Sequence, residues 1–367
     1  MVACAPEKPA SGAASYEPGE WRGLSGWRNA PQGPALRAFA ASCKRLQAAR
    51  WRAACDTAAG MSNATEADAR AFFEARFSPY RIVAPDGSRD GLITGYYEPI
   101  LHGSRAAGAI YRHPVYGVPD DLIVVDLAGL HPELKHLRLR GRLDGRRLVP
   151  YYERADIEGP GRRFNAPVLA WVADPVELFF LQIQGSGQIE LDSGARIRLG
   201  YADQNGHPYS SLGRYLIDRG ELKFEQSSMQ GIKAWAEANP GKLRAALDQN
   251  PSYVFFRELP AAEVKPGAAD GPPGAAGVPL TAEFSVAVDP RHIPLGVPLF
   301  LATTHPSSDR PLEKLVVAQD TGGAIRGAVR ADFFWGTGPE AGALAGRMRQ
   351  RGAMWLLWPR GEPLPVQ

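Results

Sequence analysis

The feature that most constrains this chain is its punctuation: 40 glycines and 32 prolines in 367 residues. Average usage of roughly 12% would supply about 44 of the two together. Proline lacks a backbone donor and glycine weakens helix interiors. The excess therefore favours short strands joined by many turns over long packed helices. A hydrophobic share of 44% and a charged share of 22% are those of a globular chain. The length suggests roughly two domains. A net charge of +3 creates no field that would draw nucleic acid or an anionic membrane surface. No apolar run approaches the ~18 residues of a transmembrane helix.

Periodicity divides the chain into alternating regions. Leu36, Phe39, Ala40 and Cys43 follow helical spacing within 34–60. A second helix is expected over 65–77, with Thr65 as N-cap, Asp68 at N3, and Phe72, Phe73 and Phe77 on its apolar side. Strand-like runs follow at 92–99, 122–126, 167–172, 178–184 and 188–199. The last reads as a hairpin with Asp192, Ser193 and Gly194 at its tip. Helical spacing returns at 210–218 and 228–248, interrupted at Pro240 and Gly241. Strands are expected again at 252–257, 284–288, 298–302, 314–319 and 355–358. The stretch 261–278, rich in Pro, Gly and Ala, reads as a mobile surface loop. The order α, β, α, β fits an inserted β domain better than two domains in series. The expected organisation is a flexible tether at 1–20, a discontinuous domain of 21–104 and 244–367, and an insert of 105–243.

There are three cysteines, Cys4, Cys43 and Cys55, and no C-x-x-C pair. On one straight helix Cys43 and Cys55 would lie about 18 Å apart, whereas a disulfide needs Cα atoms within about 7 Å. A bridge therefore requires a turn near 47–50; two buried thiols are the alternative. A small residue before Cys4 and a flexible stretch after it resemble the end of a bacterial lipoprotein signal. Cys4 is accordingly the expected lipid anchor, although the apolar segment that should precede it is missing.

Several chemistries lack their residues. None of the seven histidines sits in H-E-x-x-H or beside a second ligand at metal spacing, so no metal is expected. Gly185, Ser186 and Gly187 lack the third glycine and the following helix of a dinucleotide fold. No G-x-S-x-G elbow exists. Two Asp-(Ser/Thr)-Gly triplets, at Asp192 and Asp320, raise an aspartic protease, in which paired carboxylates share a proton. The alternating residues around Asp192 explain that triplet as a hairpin tip instead.

The C-terminal carboxylates carry more. Asp289 and Asp320 each follow an apolar strand-like run, and Asp332 adjoins Phe333, Phe334 and Trp335. Aromatic bulk would desolvate the Asp332 carboxyl, raise its pKa and keep a proton on it near neutral pH. A general acid for a glycosidic oxygen needs that property.

These three segments resemble the three-aspartate (3D) domain, a double-psi β-barrel. From about residue 88 to 358 the chain resembles the MltA family of membrane-bound lytic transglycosylases. The resemblance rests on 94–99 (TGYYEP), 179–187 (FFLQIQGSG), 200–206 (GYADQNG) with Pro208 and Tyr209, 250–256 (NPSYVFF) and the D-x-G-G-A-I-x-G…D pattern beginning at Asp320. It implies a mainly β chain with flanking helices: a double-psi barrel domain, an inserted second barrel-like β domain and a groove between them. It also implies cleavage of the β-1,4 bond between N-acetylmuramic acid and N-acetylglucosamine in peptidoglycan, leaving a 1,6-anhydro sugar. Asp332 is the implied catalytic acid and then base, with Asp320 and Asp289 in support; no cofactor is implied.

A glycan strand requires stacking faces and neutral hydrogen-bonding groups. Thr94, Tyr96, Tyr97, Glu98, Gln182, Gln184, Gly185, Ser186, Tyr201, Asn205 and Tyr209 are the expected substrate contacts, with Gln182 and Gln184 on one face of a strand. The expected setting is a periplasmic, monomeric, outer-membrane lipoprotein of a Gram-negative bacterium that meets peptidoglycan strands and other cell-wall enzymes. The rivals are a hydrolase using Asp320 and Asp332 as a pair, an expansin-like glycan binder without catalysis, and the aspartic protease.

Overall fold

The computed structural model describes residues 13–365, apart from 132, 133, 135, 136, 138, 160–164, 261–270 and the side chain of 225. Cys4 lies outside them. In chain order, β1 (Ser15–Pro18), α1 (Gly33–Ser42), α2 (Ala49–Ala59), α3 (Glu66–Arg76), β2 (Phe77–Val83) and β3 (Gly91–Glu98) come first. The middle holds β4 (Ile100–Ser104), β5 (His113–Tyr116), β6 (Ile123–Val124), β7 (Arg140–Asp144), β8 (Arg147–Pro150), α4 (Arg154–Glu158), β9 (Val168–Val172) and α5 (Pro175–Gln184). There follow β10 (Ser186–Leu191), β11 (Arg196–Gln204), α6 (Leu212–Asp218), α7 (Met229–Ala238), α8 (Pro240–Leu247) and β12 (Val254–Leu259). The chain ends with β13 (Ser285–Val288), β14 (Pro298–Thr304), β15 (Pro311–Asp320), β16 (Arg330–Thr337), α9 (Pro339–Arg347) and β17 (Arg349–Pro359).

Contacts group these elements into two units, Met1–Tyr97 with Val264–Gln367, and Glu98–Glu263. The second unit extends past the expected boundary at 243 because β12 pairs along β11. In the first unit, strands run in the order β1-β2-β17-β14-β15-β13-β16-β3, and β3 also pairs with β17. That extra pairing closes β17, β14, β15, β13, β16 and β3 into a ring with no free edge. β13 and β15 pair in parallel. β1 pairs with β2, so part of the expected tether is a sheet strand.

Helices α1–α3 pack over this ring. Phe39, Trp51, Phe72, Phe73 and Phe77 form one aromatic cluster, and Trp51 meets Trp358 of β17 at 5.1 Å. Thr65 and Asp68 cap α3 reciprocally, as expected. Cys43 and Cys55 form a disulfide, with Cα atoms 5.6 Å apart; the chain turns over 43–48, between α1 and α2. Closing so short a loop removes about 2–3 kcal/mol of unfolded-state freedom in the chain-entropy account. Reduction, or replacement of both cysteines by alanine, should lower the first unit's melting temperature by about 5–10 °C. A melt that is unchanged by reductant would refute this.

In the second unit, six strands run β12-β11-β10-β4-β9-β5, and a bridge from Gly117 to Phe256 joins the two ends. β6, β7 and β8 form a separate small sheet, where β6 is shorter than the expected strand. Leu178 and Leu181 of α5 pack on the sheet, while its Val176 and Phe179 join α6, α7 and α8. The hairpin at Asp192–Gly194 is present.

The 178–184 run is a helix, not a strand. Asp174 caps it by accepting the Val176 and Glu177 N–H groups at 2.7 and 3.2 Å, Pro175 occupies its first turn, and Gly185 ends it with φ 77°. These start and stop signals outweigh the β preference of its Phe and Ile residues. The 271–278 part of the expected mobile loop is also ordered by contacts. Its Gly274 N–H bonds Val278 O, its Ala276 N–H bonds Gln319 O, and Ala276 and Val278 are buried. Residues 261–270 lie outside the described ones.

Candidate active site

Register brings two of the three aspartates together. β13 runs antiparallel to β16 with Ala287 opposite Asp332, and parallel to β15 with Ala287 opposite Asp320 after a bulge. Strand spacing of about 4.8 Å puts the two aspartate Cα atoms on the order of 10 Å apart. β3 adjoins β16 and contributes Thr94 and Tyr96. Side chains alternate along β16. Phe333 and Trp335 enter the main core, while Phe334 packs with Tyr96, Leu280, Ala287 and Ile325. Of the three aromatic neighbours expected around Asp332, only Phe334 shares its face; Tyr96, 5.2 Å from Phe334 between ring centres, takes the place of the others.

Thr94 Oγ1 donates to Asp332 Oδ1 at 2.5 Å and accepts from Arg330 Nη2 at 2.9 Å. Tyr96 OH donates to Asp320 Oδ2 at 3.1 Å, and the Ala275 N–H donates to Asp320 Oδ1 at 2.9 Å. The neighbouring Gln319 is tied down from behind. Its Nε2 reaches Ala38 O and Ser42 Oγ of α1 at 2.9 and 2.8 Å, and its Oε1 takes the Ser285 hydroxyl at 2.5 Å. α1 thereby fixes the end of β15 that carries Asp320.

Asp289 plays a different part. It is fully buried, is paired through both oxygens with Arg291, and accepts the Gly327 N–H at 2.9 Å. Gly327 has φ 113°, where a Cβ would be strained. The carboxylate thus anchors the loop between Asp320 and Asp332.

The electrostatics separate these roles. Burial is the largest influence on Asp332 and raises its pKa; the Arg330 charge and the Thr94 bond oppose it without cancelling it. Burial likewise raises Asp320, against bonds from Ala275, Thr321 and Tyr96, and the charge of Asp332 adds to the rise. Burial and both carboxylates push Tyr96 well above the phenol range, so it stays a donor. At Asp289 burial also works upward, but the Arg291 bonds and the Gly327 N–H prevail and the pKa falls. The arrangement can hold a proton on a carboxyl at one strand, near a second protonatable carboxyl, with the ionised Asp289 fixing the loop that joins them.

The other expected residues scatter. Tyr97 is buried in the main core, with Gly342 so close that a Cβ there would fall 2.8 Å from its ring. The remaining eight are in the second unit. Glu98 is buried and accepts Gln188 Nε2 at 2.8 Å. Gln182, on α5, is buried and accepts Arg154 Nη2 at 2.5 Å. Asn205 directs its amide to Tyr152 O and Pro251 O and accepts the Tyr253 N–H, so its polar atoms serve the fold. Gln184 is half-buried at the end of α5, Gly185 caps that helix, and Ser186 opens β10. Tyr201 and Tyr209 are exposed, at 36% and 49%. The sequence reading missed two groups at the carboxylates. Arg330 was legible as the residue two before Asp332, on the same strand face; the Ala275 N–H, a backbone group, left no side-chain signal.

The family model described as "MltA specific insert domain" matches residues 92–257, and that described as "3D domain" matches 284–358. Membrane-bound lytic murein transglycosylase A of Escherichia coli K12 is 35% identical over 271 residues, covering 72% of this chain and 64% of that protein. The chain thus spans a little under two thirds of that curated relative. The crystal structure of MltA from Neisseria gonorrhoeae is similar at 41% identity and TM-score 0.83, over 96% of this chain and 95% of that one. That of E. coli MltA with bound chitohexaose is similar at 28% identity and TM-score 0.70, over 90% of each chain.

Proposed function

The chain belongs to the MltA family, and from that premise we propose that it is a lytic transglycosylase that cuts the β-1,4 bond between N-acetylmuramic acid and N-acetylglucosamine in peptidoglycan. The observation that carries this reading is the Asp332 carboxyl, partly buried, raised in pKa and held through one oxygen by Thr94. Protonated Asp332 gives its proton to the glycosidic oxygen as the C1–O bond breaks. The resulting carboxylate then takes the proton of the muramic acid C6 hydroxyl as O6 bonds C1. The proton count closes on a 1,6-anhydro product, with no water consumed. This departs from the usual two-carboxylate scheme. Asp320, given donors on both oxygens, accepts and orients, and Asp289 holds the intervening loop.

Supporting context comes from several sides. The relatives carry the lytic transglycosylase name, and one was crystallised with a chitin oligosaccharide. The closed six-strand ring with its parallel β13–β15 pair suits a double-psi barrel. Tyr201 and Tyr209 are exposed and offer faces for sugar rings. The disulfide suits an oxidising compartment, and the relatives are named membrane-bound. We therefore place the protein in the periplasm as a monomer anchored at the outer membrane through Cys4. Mass spectrometry of fragments released from purified sacculi tests the reading. Muropeptides ending in 1,6-anhydro sugar are expected. Reducing ends would mean a hydrolase, and no soluble fragment would mean a binder.

A further inference from the structure

We propose that Arg330 is a positioning residue for the acid, acting through the Thr94 hydroxyl to dictate which oxygen of Asp332 carries the transferable proton. The proposal rests on the transglycosylase reading above and extends it to a residue outside the three aspartates.

The argument is one of hydrogen-bond bookkeeping. A threonine hydroxyl has a single proton. Thr94 Oγ1 receives a guanidinium N–H from Arg330 Nη2 at 2.9 Å. Arg330 has no acceptor, so the direction of that bond is fixed. The hydroxyl proton goes to its other neighbour, Asp332 Oδ1, 2.5 Å away. The carbonyl oxygen of a carboxylic acid is its better acceptor, so Oδ1 takes the carbonyl role and the acidic proton of Asp332 is favoured on Oδ2.

Arg330 is itself immobilised. Its Nη1 donates to Ala331 O at 2.5 Å and to Leu92 O at 3.3 Å. Those carbonyls belong to β16 and β3, the two strands that carry Asp332 and Thr94. The guanidinium thus locks the pair of strands, the hydroxyl rotor and the proton in one arrangement. Among the described residues no cation pairs directly with Asp332, so the positive charge acts on it at one remove. That distance suits a group that must be an acid in one step and a base in the next. A direct ion pair would hold the carboxylate ionised and leave it no proton to give.

The charged and titratable groups around Asp332 are few. Arg330 lies on its own strand, Thr94 and Tyr96 on β3, and Asp320 on β15; Arg349 of β17, opposite Thr94 in the ladder, bears on Arg330. Burial opposes ionisation of Asp332 and Arg330 favours it. Removing Arg330 leaves burial less opposed.

The test is the pH profile of anhydro-muropeptide release by wild-type protein, Arg330→Met and Arg330→Lys. Arg330→Met should lower kcat by about 10–100-fold with KM within about twofold, because the acid is misoriented and binding groups are untouched. Its basic limb should move up by about one pH unit or more, the direction expected when a nearby cation is lost. Arg330→Lys keeps the charge without the fork; its limb should stay near the wild-type position while kcat remains low. Matching melting curves show that each variant is folded. If Arg330→Met misfolds, Thr94→Val supplies the same test by removing the hydroxyl: kcat should fall and the limb rise. Wild-type release of anhydro product with unchanged pH profiles in both Arg330→Met and Thr94→Val would overturn the proposal. No anhydro product from the wild type would overturn the underlying function instead.

Discussion

Asp332→Asn lowers the release of anhydro-muropeptides from sacculi about a thousandfold or more, and it leaves a folded protein that still sediments with glycan. The amide is nearly isosteric and its oxygen can still accept from Thr94, so only the transferable proton is lost. General acid–base catalysis contributes on the order of 10²–10⁴ in rate. The same group here serves both halves of the reaction, which places the loss toward the upper end. Residual activity above about a tenth of wild type would remove Asp332 from the chemistry.

The substitution carries a second signature, in stability. The pKa of Asp332 is raised on folding, so the native state binds its proton more tightly than the unfolded chain does. Its contribution is most favourable below the ordinary carboxylate pKa of ~3.9. That advantage declines as pH climbs from there through the raised native value, and it is constant beyond. Asparagine removes the penalty of a buried charge. Asp332→Asn should therefore melt above wild type at pH 7, and the gap should shrink toward pH 4. Asp289 has the opposite sign. Its pKa is depressed, so its stabilisation is present above the ordinary pKa and is lost as pH falls through the native value. A variant that gains activity-independent stability at neutral pH is the expected mark of a site where catalysis is held at a cost to folding.

How much of this was legible depended on the kind of signal. The aspartates at 289, 320 and 332 stand in apolar runs broken by glycines, and such a pattern marks polar groups at the ends of buried strands. The cap at Thr65 and the hairpin at Asp192 were local chemistry, readable within a few residues. The 178–184 run was misread because Phe179, Phe180 and Ile183 suit a strand, while the decisive signal, Asp174 followed by Pro175, lay just upstream. The disulfide turned on the chain reversing between α1 and α2, which spacing left open. Tyr97, Gln182 and Asn205 are polar or amphipathic residues within matched motifs, yet the fold uses them internally. A motif does not distinguish a group that faces a ligand from one that satisfies a buried carbonyl. Ala275 was invisible for the opposite reason: its contribution is a backbone N–H.

Gln182 leads to the other large effect, at a residue that no motif marked. Arg154 is 2% exposed. It donates to Asn250 O at 3.0 Å, Ser252 O at 2.7 Å, Gln182 Oε1 at 2.5 Å and Glu158 Oε1 at 3.0 Å. Its guanidinium also lies 4.7 Å from the Phe179 ring centre and 5.0 Å from that of Tyr253. One side chain thereby joins α4, α5 and the 250–252 segment that leads into β12. Arg154→Met keeps much of the volume and the aromatic contact but leaves two backbone carbonyls and a glutamine oxygen without their donor. Each unsatisfied buried acceptor costs about 1–3 kcal/mol, and breaking a buried charged network typically costs 3–5. The variant should lose about 3–5 kcal/mol from the second unit. Calorimetry should show that unit's transition falling, with the first unit's transition in place. Arg154→Lys should recover only a small part, because one ammonium cannot serve carbonyls that the planar fork reaches together. A loss below about 1 kcal/mol in Arg154→Met would mean that water or rearranged side chains supply the missing donors, and that packing of α5 on the sheet holds this corner without the arginine.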